Sequence, residues 1–430
     1  MAAVPERMVK AGPEPEAWEP DTSWYDEEKS EFTLDTAGEL AGLAQLVNGG
    51  NSFSGKTITL GADIDLEGKE WTPIGKSGAT FNGIFDGDNK KISNLTITRD
   101  LANEAENNRL GLFGMINSPA AIKNLTIENV DINGSLYIGA VVGDGYTGSA
   151  IENCHVTGNL AIDGWWYIGG ISGNGYVTKV SGCSVSGNEG SYIKANNNGS
   201  YVGGIWGYRG EGNQTISDCT VENIAISGYD RTGGISGIAQ YQNTIEGCKI
   251  ISSTVTTSEN YGNTGLIAGA DLSNTSYAVA KILNCEVEDT TATAGDEEVT
   301  TKVGPAKNDG TLNPTPATVG TDVKYENGKI TEGTLEQVTR SELAEGLTLE
   351  EKEDGTYEVA ELTTENAAAV IDNQPYATIE EAIGAAEDGD TVTINPGTYQ
   401  GSGEEIQVTK AITIEGAGDR ASTLNNMVFN

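Results

Sequence analysis

The chain has 430 residues, with 63 acidic and 25 basic side chains and a formal charge of −38. That is long for one compact core, and it repels phosphate backbones and anionic lipid surfaces. No apolar run approaches the roughly 18 residues of a spanning helix, so nucleic acid and membrane insertion are excluded, while 57 Gly against 11 Pro at 37% apolar content point to many tight turns between short strands.

In chain order, residues 1–30 are Pro-rich, acidic and without periodicity, with no charged-then-apolar signal peptide, and read as a disordered leader. Residues 36–48, TAGELAGLAQLVN, predict a helix. Thr36 and Glu39 form a capping-box pair, Leu40, Leu43, Leu46 and Val47 share a face, and Gly49 and Gly50 end it. Such a helix covers the exposed strand edge with which a stack of strands begins. KTITLGADIDL at 56–66 reads as the first strands.

Two motifs then alternate. One is ISNLTI at 92, IKNLTI at 122, IENCHV at 151, VSGCSV at 180, ISDCTV at 216, IEGCKI at 245 and ILNCEV at 282, with starts 30, 29, 29, 36, 29 and 37 residues apart. The other is a glycine string: LGLFG at 110, YIGAVVG at 137, YIGGISG at 167, YVGGIWG at 201, RTGGISG at 231 and NTGLIAG at 263. A base unit of 29–30 residues with occasional insertions is the pattern of a solenoid, because each unit must bring the chain back to the same azimuth. Leu125 and Ile127 alternate around Thr126, which is strand periodicity. With no helical stripe between strands, the units are expected to stack as a parallel β-helix. In YIGGISG, Ile168 and Ile171 are expected inward, and the glycines let the backbone turn corners and pack closely.

Cys154, Cys183, Cys219, Cys248 and Cys285 fill one repeat position, the one that Leu95 and Leu125 take in earlier units. C-x-x-C spacing is absent and the count is odd. In-register neighbours about 4.8 Å apart with parallel side chains suit an S–S bond poorly, so free buried thiols are expected. The strings fade after about residue 270. Residues 321–330, with Asn327-Gly328, read as a hairpin closing a solenoid over 31–330. Residues 331–372 read as a linker or connecting element. Residues 373–430 restart the opening scheme, with a helix capped by Thr378 and Glu381 and about one turn of a second, truncated β-helix-like unit.

The stretch FTLDTAGELAGLAQLVNGGNSFSGKTITLGADIDL, followed by WTPIG, FNGIFDGDNKKISNLTI and the G-L-F-G-like strings, resembles the GLUG-repeat right-handed β-helices of bacterial surface proteins, including those attached to IgA-protease-type metallopeptidases. The likeness covers about residues 31–290. The restart at 376 resembles the N-terminal cap of pectin-lyase-like proteins. The resemblance implies an all-β, right-handed parallel β-helix in a secreted or wall-anchored, adhesin-like bacterial protein, and it names no ligand.

Enzymatic readings need acids or bases in place. A polysaccharide lyase needs a base beside cation-binding acids, and a glycoside hydrolase needs paired carboxylates. The candidate acids are Asp63 and Asp65, Asp86 and Asp88, and Asp388 and Asp390, each in a Gly-rich turn where Asp is favoured for local hydrogen bonding. Arg99, Arg109, Arg209 and Arg231 are scattered, His155 stands at an outward strand position, and no HExxH helix or phosphate loop is present. No cofactor or metal is expected. Aromatics carry the stronger signal. Tyr137, Tyr167 and Tyr201 precede the glycine strand, Tyr146, Tyr176, Tyr208 and Tyr241 follow it, and Trp165 and Trp166 adjoin the first set. Such rings either form a ligand strip or cover the corners of the stack. The leading expectation is a monomeric, non-catalytic binding protein for a host glycan or a host extracellular protein such as mucin or immunoglobulin. The rivals are a polysaccharide-active enzyme and a purely structural stalk.

Overall fold

Two aromatics inside the acidic N-terminal stretch tie it to the strands and helix that follow. In the computed structural model Trp24 lies 5.3 Å from Phe32 and Tyr25 lies 5.3 Å from Phe53, ring centre to ring centre. The Asp21 amide donates to the Gly38 carbonyl at 2.8 Å, and Trp24 Nε1 donates to the Glu39 carbonyl. The segment can lie this close to the helix because Gly42 has no side chain: a Cβ there would sit 1.9 Å from the Asp21 carbonyl oxygen. Of the leader expected to be disordered over 1–30, residues 18–30 are therefore folded, because its aromatics find an apolar partner surface, and residues 1–17 lie outside the described residues. The structure describes residues 18–430 apart from 100–108, 197–199, 210–213, 239–242, 259–262, 270–279, 305, 309–310, 314–316, 338–342, 401–404, 418–421, 426 and 430. It divides into two units after Ala317.

The first unit opens with strand Glu31–Leu34 and helix α1, Ala37–Asn48. Thr36 accepts from the Glu39 amide while the Glu39 carboxylate accepts from the Thr36 amide, so both halves of the capping box are made. Strands then pair in parallel with their counterparts one repeat later. One column of inward residues runs Phe32, Ile58, Phe85, Ile122, Ile151, Val180, Ile216, Ile245 and Ile282, each in register with the next. All are buried. Each repeat between residues 109 and 209 also sends one short strand into a six-stranded sheet and one into a four-stranded sheet. The fold is all-β and mostly parallel, as the short alternating runs predict.

The register corrects one alignment. Ile92 pairs with Ile127 and Leu95 with Val130, whereas Cys154 pairs with Leu125. ISNLTI at 92 therefore belongs to the strand after the cysteine position, and Leu95 is not its predecessor. The two look alike because each begins at a left-handed corner residue followed by strand alternation. Asn94 and Asn129 have φ of 60° and 58°. At the other corner Asn124, Asn153, Gly182, Asp218, Gly247 and Asn284 immediately precede the Leu or Cys, with φ from 51° to 63°. Asn, Asp and Gly are the residues that accept that conformation most readily.

All five cysteines are buried and unbridged. Each thiol lies within reach of the carbonyl two residues before it, for instance Cys219 Sγ to Ser217 at 3.2 Å and Cys183 Sγ to Ser181 at 3.4 Å. A thiol here packs as a small hydrophobe while its weak donor is satisfied. Burial pushes the Cys154 thiol up from its ordinary range, which disfavours the reactive thiolate.

The second unit carries the hairpin read at Asn327-Gly328: strands Ala317–Glu326 and Lys329–Gln337 are antiparallel, and the two turn residues have φ of 51° and 79°. Residues read as a connecting element also contain strands Leu347–Glu351 and Tyr357–Glu361, which pair antiparallel. Helix α2, Ile379–Ala385, again has a complete capping box, with Thr378 and Glu381. It buries Ile379, Ala382 and Ile383 in a cluster with Val392 and Ile394. Three parallel strand pairs follow, beginning with Thr391–Ile394 against Thr413–Gly416.

Iodoacetamide labelling counted by mass tests the thiol assignment. None of the five cysteines should label in the native protein and all five should label in denaturant. Rapid native labelling of three or more would contradict the inward column.

Candidate functional site

Strand alternation fixes which way the tyrosines face. In the six-stranded sheet Ile138, Ile168 and Val202 are fully buried, so the residue before each is turned outward. Arg109, Tyr137, Tyr167, Tyr201 and Arg231 occupy one register column across five successive strands. Tyr137 and Tyr167 stack at 5.2 Å with 9° between their planes, and Tyr167 and Tyr201 at 5.3 Å with 26°. The Arg109 guanidinium lies 5.1 Å from the Tyr137 ring and that of Arg231 lies 4.7 Å from the Tyr201 ring. Three stacked rings are thus closed at both ends by a cation over the π face. Tyr208, on the four-stranded sheet, packs against Tyr167 and meets Tyr201 edge-on at 4.9 Å.

The neighbouring column holds the charge that orients the first arginine. Asp144, Asn174 and Tyr208 are in register. Arg109 Nε donates to Asp144 Oδ2 at 2.8 Å, and Asn174 Nδ2 donates to Asp144 Oδ1 at 2.9 Å. Burial raises the Asp144 carboxyl above its ordinary range, opposed by Arg109 and Asn174. Burial also raises the Tyr137 phenol, and the Asp144 charge adds to it. At the other end Arg231 pairs with Asp230 at 2.6 Å.

The predicted site residues therefore separate into two kinds. Tyr137, Tyr167, Tyr201 and Tyr208 are half-buried and hold one another. Trp165 and Trp166 are half-buried, with Trp166 tilted at 6.3 Å from Tyr167. Tyr146 and Tyr176 are 42% and 39% exposed and stand on successive repeats, the Tyr176 amide donating to the Gly145 carbonyl. Tyr241 and the side chain of Arg209 lie outside the described residues. Arg99 pairs with Glu70 far along the chain from the tyrosines, and His155 Nδ1 is 2.8 Å from Ser184 Oγ.

The candidate acids accept from amides of their own turns and of neighbouring strands. Asp65 accepts from Asn94 and from the Glu67 amide, Asp86 accepts from Asn124 and the Asp88 amide, and Asp388 accepts from the Ala411 amide. Among the described residues no group of three or more His, Cys, Asp or Glu is placed to hold a metal ion, and no helix is long and apolar enough to cross a membrane. Sequence reasoning missed the arginine ends of the ladder. Their signal was present, since Arg109 and Arg231 stand where Tyr stands in the strings between them.

No protein-family model matches the chain. A halomucin from Haloquadratum walsbyi is 32% identical over 126 residues, 26% of this chain and 1% of that protein. An immunoglobulin A1 protease from Streptococcus sanguinis is 27% identical over 232 residues, 52% of this chain and 12% of that protein. A candidate Gly-rich membrane protein from Evansella cellulosilytica is 28% identical over 129 residues, 29% of this chain and 14% of that protein. The crystal structure of a candidate immunoglobulin A1 protease from Bacteroides ovatus aligns with a TM-score of 0.45 at 18% identity, over 68% of this chain and 83% of that one. The chain thus covers no more than 14% of the length of these three sequence relatives.

The Asp144 environment has a pH signature. A carboxyl raised in the fold favours the folded state most below its unfolded pKa, and that contribution is lost as pH rises through the folded value. From the ordinary value of 3.8 upward, Asp144→Asn should therefore gain stability relative to the parent as pH rises, measured by urea unfolding across a pH series. A variant that loses ground as pH rises would show that the Arg109 ion pair outweighs burial.

Proposed function

We propose that the chain is a non-catalytic, extracellular bacterial surface protein, built as a right-handed parallel β-helix of the GLUG-repeat kind. Its tyrosine-bearing face binds a host protein, such as mucin or immunoglobulin, or a host glycan. The carrying observation is the exposed pair Tyr146 and Tyr176, the two exposed aromatics of the first unit's described residues, set beside a rigid ladder. Exposed aromatics on a rigid support give large contact area at low entropic cost. The names of the sequence relatives, a halomucin, a Gly-rich membrane protein and an immunoglobulin A1 protease, support a place at the cell surface. Engagement of Asp65, Asp86 and Asp388 by structural amides favours binding over hydrolysis or elimination.

One observation favours the stalk reading for part of this face. The ring faces of Tyr137, Tyr167 and Tyr201 are taken up by one another and by two arginines, so these tyrosines offer a partner their edges and hydroxyls alone. Their stacking braces adjacent repeats instead.

Binding to immobilised immunoglobulin A, mucin and a glycan array separates the readings. The double variant Tyr146→Ala, Tyr176→Ala should weaken the interaction by about 1–3 kcal/mol with an unchanged melting temperature. Tyr167→Ala should lower the melting temperature. Unaltered binding by the double variant, or no binding by the parent to any of these probes, would retire the face and leave the stalk.

A further inference from the structure

A concavity lies on the large parallel sheet, away from the six-stranded sheet that carries the tyrosines. It has a volume of about 520 Å³, within the roughly 300–1,000 Å³ usual for ligand sites. Its floor crosses four successive repeats in register: Thr96 pairs with Asp131, Asp131 with Ala161, and Ala161 with Tyr192. Four rungs span about 14 Å at the spacing of paired strands. The walls come from two turns that project beyond the strands, Glu67-Gly68 and Glu189-Gly190, where Glu67, Gly68 and Gly190 have φ of 52°, 67° and 87°.

The lining selects a chemical class. Along one side Asn94, Asn129 and Asn159 repeat once per strand rung. Asn129 Nδ2 donates to Asn94 Oδ1 at 3.2 Å, and Asn129 Oδ1 accepts from the Asn159 amide at 3.0 Å. A side-chain amide has two donors and two lone pairs, so an amide held in this ladder keeps hydrogen-bonding capacity for a ligand. Among the described residues the lining holds Glu67, Asp131 and Glu189, one aromatic ring at Tyr192, and no Lys, Arg or His. Rigid amides and carboxylates beside a ring suit sugar hydroxyls and an apolar sugar face. The same carboxylates without a base disfavour uronates and sulfated chains. The lining repeats at the strand spacing, and an extended pyranose chain repeats on the same scale.

We infer that this groove is a second binding site, and that it takes a linear, uncharged glycan lying along the stack and filling the four rungs. The inference is independent of the tyrosine face and survives its failure.

Titration calorimetry of the full chain with β-1,4-linked glucose, xylose and mannose tetrasaccharides, against tetragalacturonate, tests it. At least one neutral tetrasaccharide should bind, more than tenfold tighter than its disaccharide, while tetragalacturonate should not. Ala161→Trp, which fills the middle of the floor, should weaken that binding at least tenfold. Tyr192→Ala should weaken it severalfold and serves as the variant if Ala161→Trp does not fold. Loss of that binding in Tyr146→Ala would place the sugar on the tyrosine face and overturn the assignment. No binding of the three neutral chains at millimolar concentration, tighter binding of tetragalacturonate, or full affinity in folded Ala161→Trp or Tyr192→Ala would each overturn the assignment.

Discussion

Where the six-stranded and four-stranded sheets meet, backbone touches backbone. A Cβ built on Gly169 would stand 2.1 Å from the Ser172 carbonyl oxygen and 2.7 Å from that of Ile205 in the next repeat. One built on Gly173 would stand 2.3 Å from the Ile138 amide nitrogen in the previous repeat. Neither glycine has a positive φ, so the requirement is for space and not for backbone freedom. The same contacts recur at Gly203 and Gly207 and at Gly233 and Gly237, and a G-x-x-x-G spacing runs through the strings from YIGAVVG at 137 to NTGLIAG at 263. Such contact holds successive repeats at a fixed separation, and the rest of the first unit inherits that separation.

The tyrosine ladder is one consequence. Two residues before the first glycine of each string the side chain must leave the sheet, and rings that leave successive strands in register arrive close to stacking distance without adjustment. Insertions between repeats do not disturb this, because Tyr201 follows Tyr167 by a longer loop than Tyr167 follows Tyr137 and still stacks at 5.3 Å. The arginines end the column where the tyrosines stop. The groove on the large sheet differs: side chains fill the outward positions there, and the turns Glu67-Gly68 and Glu189-Gly190 supply the walls.

Much of this was legible in the sequence because strand period, repeat period and cap chemistry are local. Both helices begin at the predicted Thr, the Asn327-Gly328 hairpin forms where its turn residues stand, and the cysteines occupy one inward column. Features set by pairing between repeats were not legible. ISNLTI at 92 matches IKNLTI at 122 by eye, yet the ladder places Leu95 opposite Val130, because two corners in each repeat use the same Asn-then-strand chemistry. Acidic composition hid the folding of residues 18–30, which depends on Trp24 and Tyr25 reaching Phe32 and Phe53. The tyrosine column was visible, but only geometry shows that its ring faces are covered, which moves the exposed aromatic role to Tyr146 and Tyr176.

The most direct test of the account is the stability of single alanine variants at Gly169 and Gly173, measured by urea unfolding followed by circular dichroism. Alanine fits the backbone conformation at both sites, so any loss reports the contact itself. The account predicts that each costs about 3 kcal/mol or more, at the upper end of overpacking effects, or prevents folding. Variants within about 0.5 kcal/mol of the parent, as for an ordinary surface substitution, would contradict backbone contact between the two sheets as the constraint that sets the stack.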